Sequence, residues 1–151
     1  MIVWRSFGAS LIGPGHVAAG MPNQDAWASF HHIWGDGIAV SDGLGSKPFS
    51  DFGSRAACLA VACAVLGCSG KPNMDRSMLV NQIKTKWISL LAPLVPRDCA
   101  ATCLFAVRMN DGVVHMGMLG DGLVAAVRVD GSVVSLSDDK SEGFSNMTAA
   151  L

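Results

Sequence analysis

Apolar positions along this chain fall into two regimes. Ile2–Ser10 predicts a first strand, and Leu11–Gln24, rich in Gly and Pro and carrying His16, predicts a loop. Asp25–Ile33 and Ile38–Asp42 then predict a hairpin that reverses at Asp36-Gly37. Helical spacing follows. Pro48 with Ser50 or Asp51 suits a helix start, and Ala56 to Leu66 is apolar almost all round before Gly67 ends it. A helix without a polar face is buried on several sides. Asn73 to Leu91 is amphipathic: Asn73 can cap it, and Leu79, Ile83, Trp87, Leu90 and Leu91 form one stripe. Asn81, Gln82, Lys84 and Lys86 cover much of the other side, and Pro93 and Pro96 stop the helix.

From Ala100 the period shortens. Ala100–Arg108, Val113–Leu119, Leu123–Val129 and Ser132–Leu136 are joined at Asn110-Asp111-Gly112, Asp121-Gly122 and Asp130-Gly131. That pattern predicts a β-meander. Three strands, two helices and four strands imply an α+β fold, with helices covering antiparallel sheet.

Composition narrows the function. The 151 residues suit one domain. Only 15% are charged, against about 25% in typical domains, which leaves ample apolar material for a core. A net charge of -1 argues against nucleic-acid binding and against a polybasic membrane contact. No run of about 18 apolar residues suggests a membrane span, and the N-terminus lacks a signal-peptide layout. The five cysteines include no CxxC pair, and three lie in the Ala/Val/Leu-rich segment. They read as buried, reduced thiols of a cytoplasmic protein.

Chemistry concentrates at one place. Of five Asp-Gly pairs, the one at Asp42-Gly43 does not fit a hairpin, because it follows a short apolar run and opens onto Leu-Gly-Ser-Lys-Pro and a helix. An acid at a strand end that opens into a loop is a site candidate. Asp25 begins the partner strand, so both acids fall at the same end of the hairpin. Two such acids suit a hard divalent ion, Mg²⁺ or Mn²⁺. The same residues also read as a loop cap and an unusually placed turn, and alternation alone does not decide whether they share a face.

Several motifs occur in an order that resembles the metal-dependent protein serine/threonine phosphatases of type 2C. They are Pro-Asn-Gln-Asp-Ala (22–26), Ser-Asp-Gly-Leu-Gly-Ser (41–46), Phe-Gly-Ser-Arg-Ala (52–56), Ala-Ala-Thr (100–102) and Leu-Gly-Asp-Gly (119–122). Gly-x-x-His (13–16) and Phe-Ser-Asn-Met-Thr (144–148) resemble the bacterial branch. The resemblance implies a sandwich of two antiparallel sheets flanked by helices, of which this chain is the N-terminal portion. It also implies a site with two Mn²⁺ or Mg²⁺ ions. Asp25, Asp42 and the Gly43 carbonyl match metal ligands, Asp42 bridging both ions. Water activated by the ions would attack phosphoserine or phosphothreonine of a protein substrate, without a side-chain nucleophile. Gly20 and Gln24 stand where the family has Arg and Glu, so His16 becomes the candidate phosphate contact. Lys47 and Arg55 are the other nearby cations. Thr102 reads as a packing or backbone-bonding residue, and Asp121 as a hairpin residue. The family's downstream acidic ligands have no counterpart before Leu151, so the chain alone is expected to be inactive. The alternative is a non-catalytic phosphatase-like module that binds a protein or a phosphorylated ligand, or a homo-oligomer formed through exposed strand edges.

Overall fold

The computed structural model describes residues 5–33, 35–68, 76–109, 111–137 and 151. Strands β1 (Asp25–His32) and β2 (Gly35–Asp42) form the expected antiparallel hairpin. Its reversal is earlier than the sequence suggested. Asp36 pairs with His31 and Gly37 with Phe30, inside the ladder. Gly37 serves packing rather than a turn: a Cβ there would lie 2.3 Å from the tip of the Phe30 ring.

β3 (Cys103–Met109) pairs with β2 and β4 (Val114–Leu119) with β3, giving the order β1-β2-β3-β4. β5 (Leu123–Val127) and β6 (Val133–Ser137) form a separate two-stranded sheet, so the anticipated four-strand meander splits after β4. The hairpins at Asp111-Gly112 and Asp130-Gly131 stand. Both glycines take positive φ, 86° and 82°. Each Asp carboxylate accepts a backbone N–H two residues on, from Val113 and Ser132. Asp121-Gly122 is different. Flanked by Gly120 at φ 94° and Gly122 at φ 140°, it carries the chain out of the first sheet. Gly122 settles against Leu104, where a Cβ would come within 2.5 Å of the side chain.

Among the described residues the strand expected at Ile2–Ser10 is not formed: residues 5–10 belong to no strand or helix, and 1–4 lie outside the described residues. The expected loop contains one short helix, α1 (Pro14–Ala18), with Pro at its first turn. α2 (Ser50–Cys68) runs past Gly67 to Cys68. α3 spans Arg76–Leu91, and the expected cap Asn73 falls outside the described residues, as do 144–148.

α2 packs on one face of the four-stranded sheet, and α3 packs against α2. Ala57, Ala60, Val61, Ala64 and Val65 of α2 are buried against Ala26, Ala28, Phe30, Phe105 and Val107. Each large buried aliphatic side chain contributes on the order of 1.5–3 kcal/mol. By length and composition α2 is apolar enough to cross a membrane, yet this face is inside the protein core. As expected, α2 is buried on more than one side, against the sheet and against α3, and only a narrow stripe stays open: Phe52, Leu59 and Leu66 are about half exposed. Leu79, Ile83, Trp87 and Leu91 of α3 are buried as a stripe, whereas Leu90 is exposed and lines a groove with Phe49, Phe52 and Leu59. Small residues let the layers close. The Gly53 backbone abuts the Cys99 carbonyl, and the Trp87 indole N–H donates to the Gly53 carbonyl at 3.0 Å. Four cysteines are buried, and burial pushes the Cys58 and Cys103 thiols up to about 11 and about 12.

Candidate active site

Strand alternation sends Asp42, Val40 and Ile38 to the face away from α2, with Asp25, Trp27, Ser29 and His31 beside them. The register sets Asp25 directly opposite Asp42. The two acids therefore share a face and an end, which decides the point the sequence left open.

Asp42 is fixed from below by Thr102. Its N–H donates to Thr102 Oγ1 at 2.8 Å, and its carbonyl accepts the Thr102 N–H at 2.8 Å. Ser41 Oγ donates to the Thr102 carbonyl at 2.5 Å. Thr102 is 2% exposed and acts as the backbone-bonding residue expected of it. Gly43 continues the contact as a bridge to Ala101, and its N–H donates to the Gln24 carbonyl at 3.0 Å. A Cβ at position 43 would meet the Ser50 and Gln24 carbonyl oxygens at 2.6 and 2.7 Å. Only glycine fits this close approach, so Asp42-Gly43 is a packed strand end rather than a turn.

Asp25 is held from the other side. Its N–H donates to Asn23 Oδ1 at 3.1 Å, while Asn23 Nδ2 donates to Ser10 Oγ at 2.7 Å. The Asp42 carboxyl is pushed up to about 6 by partial burial, by its hydrogen bond with Asp25 and by that neighbour's charge. Asp121 adds to the rise and His16 opposes it. Two acids sharing one proton at close range behave in this way. Asp121 and His16 are thus within electrostatic reach of the Asp25–Asp42 pair. Lys47 follows the loop, whereas Arg55 faces the α2–α3 groove and lies near Asp51 at 4.0 Å.

A cleft of about 270 Å³ opens beside the acids, walled by Trp27, Leu11, Thr102 and Leu104. Gln24, 5% exposed, has its Oε1 buried without a hydrogen-bond partner and near Gly45 of the Asp42 loop. An orphaned buried acceptor costs about 1–3 kcal/mol, which a bound cation or water relieves. Among the described residues no three His, Cys, Asp or Glu side chains converge as a ready ion cage. The oxygens that are present, two carboxylates and neighbouring carbonyl groups, fit a hard divalent ion that retains much of its water.

Sequence reasoning missed Gln24 and Asp121. Gln24 was visible only as a departure from an expected Glu. Asp121 looked like a hairpin residue because both neighbours are glycine; β4 and β5 do not pair, and the charge of Asp121 reaches Asp42.

The protein phosphatase 2C family model matches residues 12–151, and the chain belongs to that family. Its fold is similar to that of the PP2C phosphatase domain of SpoIIE, the cell fate determinant of Bacillus subtilis, solved with a fragment of its regulatory domain. That match has a TM-score of 0.51 at 15% identity and covers 78% of this chain. It spans 32% of the SpoIIE chain. No curated protein sequence gives a match.

Proposed function

We propose that the domain to which this chain contributes hydrolyses phosphoserine or phosphothreonine in proteins, with Mn²⁺ or Mg²⁺ as cofactor. One observation carries the reading: Asp25 and Asp42 stand opposite each other at a sheet end, close enough to share a proton. Asp25, Asp42 and the Gly43 carbonyl would hold the ions. A bound divalent ion there supplies an acidified water and offsets phosphoryl charge.

The chain's own residues do the rest. Thr102 locks the backbone of Asp42, so its carboxylate needs little reorganisation when a ligand arrives. Asn23 does the same for Asp25. His16, whose charge already reaches Asp42, would donate a hydrogen bond to a substrate phosphate where the family carries Arg. Two carboxylates are a thin ligand set for two ions, so the 151 residues alone should not turn over substrate.

The test uses the full-length protein, with an aryl phosphate and a phosphothreonine peptide as substrates. Turnover should require added Mn²⁺ or Mg²⁺ and stop with EDTA. Turnover that survives EDTA would sink the metal mechanism. Metal binding without turnover would favour the non-catalytic module, a reading that Gly20 and Gln24 support.

A further inference from the structure

Residues 5–11 cross the face of β1 that carries the acids. They run opposite to β1: Ser6 meets His31, Gly8 meets Trp27, and Ser10 meets Asp25. Alternate residues turn inward, and Phe7 between them is 95% exposed, as an extended segment requires. Among the described residues no strand ladder fixes this segment, and its position rests on these contacts and on Asn23 Nδ2, which donates to Ser10 Oγ at 2.7 Å. Segments held by few contacts open locally at low cost.

The anchor farthest from the acids is the most elaborate. Ser6 Oγ lies 2.9 Å from His31 Nε2, and His31 Nδ1 lies 2.9 Å from Asp36 Oδ1. Arg108 Nη1 stands 3.8 Å from the other Asp36 oxygen. Asp36 orients the imidazole, and the imidazole in turn fixes the serine. At the opposite end of the same segment, Ala9, Ser10 and Leu11 line the cleft beside Asp25 and Asp42.

We propose that residues 5–11 are a strap forming one wall of the substrate cleft, and that His31 is the positioning residue that fastens it through Ser6. The proposal concerns substrate seating and rests on the phosphatase reading only for its kinetic part. His31 works at the far end of the hairpin and touches neither substrate nor ion. A second anchor acts by contact: a Cβ on Gly8 would come within 2.6 Å of the Trp27 ring, so any side chain there lifts the strap.

The test compares His31→Ala, His31→Gln and Gly8→Ala in the full-length protein. Amide hydrogen exchange should speed up at residues 6–11 in His31→Ala and Gly8→Ala, with β2 and β3 unchanged. His31→Gln, which keeps a hydrogen-bonding group, should restore part of the protection. For a phosphothreonine peptide, KM should rise about three- to tenfold in His31→Ala, the loss expected of one hydrogen bond, while kcat stays level. Unchanged exchange at 6–11 in both variants would overturn the strap. So would covalent capture of Ser6 by a fluorophosphonate, since serine-histidine-aspartate order also serves nucleophiles. If the parent protein shows no metal-dependent turnover, the phosphatase reading fails and the exchange data still decide the strap.

Discussion

Gly53→Ala sets two rules against each other. Position 53 lies in the first turns of α2, where replacing Gly by Ala should gain about 1 kcal/mol from helix propensity. The packing says the opposite. A Cβ at 53 would sit 1.6 Å from the Cys99 carbonyl oxygen and 2.7 Å from its carbon. Carbon atoms rest about 3.5–4 Å from their neighbours, so α2 and the Cys99 backbone must part by roughly 2 Å. Neither is a flexible side-chain tip. Overpacking of this kind costs about 1–3 kcal/mol or more. The same movement pulls Gly53 away from the Trp87 indole, and leaving that buried N–H unpaired costs about 1–3 kcal/mol further. The two penalties sum to about 2–6 kcal/mol, and propensity returns about 1, so the net loss is about 1–5 kcal/mol. Urea denaturation followed by far-UV circular dichroism reads this directly. A midpoint equal to or above that of the parent would show that the α2–Cys99 contact is not as drawn.

Three further outcomes bear on the acids. Asp42→Asn should abolish metal-dependent turnover, on the order of two or more powers of ten in rate, yet raise the thermal midpoint of the metal-free protein slightly at neutral pH. The raised Asp42 pKa means that this group favours folding below its ordinary value of 3.8 and that the benefit is gone above about 6. Solvent access to Asp42 screens the effect, so a lower midpoint in the variant, rather than a small gain, is the result that counts against shared protonation. Divalent-ion affinity, followed by calorimetry, should fall steeply as pH drops below about 6, because protons compete for Asp42; a flat profile from pH 5 to 8 would remove it from the ligand set. His16→Ala should raise KM more at pH 6 than at pH 8, and equal ratios at both would retire it as the phosphate contact.

What the sequence made legible followed from short-range chemistry. The buried stripe of α3 and the Asp111-Gly112 and Asp130-Gly131 hairpins needed only spacing and turn geometry. Asp25 and Asp42 were found because one Asp-Gly pair broke the local pattern, and the register then confirmed their convergence. The failures share a cause. Asp36-Gly37 and Asp121-Gly122 contain turn residues, but Gly37 is glycine because a cross-strand ring needs the space, and Gly122, at φ 140°, lies against Leu104 in a connection that leaves the sheet. Partners distant in sequence chose those residues. The orphaned Gln24 Oε1 and the strap over β1 likewise depend on which layer covers which face, and no local period records that.

The rings of Phe30 and Phe105 rest on Gly37 and Gly117, each the directly opposed residue on the next strand. These pairs are keys for alignment. Slipping β1 by one place against β2 would move the Phe30 ring off its vacancy and onto a neighbour that carries a side chain, and would turn alternate residues to the wrong face. The same slip would carry Asp25 away from Asp42, five residues along the ladder from the Phe30–Gly37 pair. A ring and a missing methyl, with no charge of their own, thus determine whether two carboxylates meet. Substituting Gly37 would therefore silence the acids without touching them.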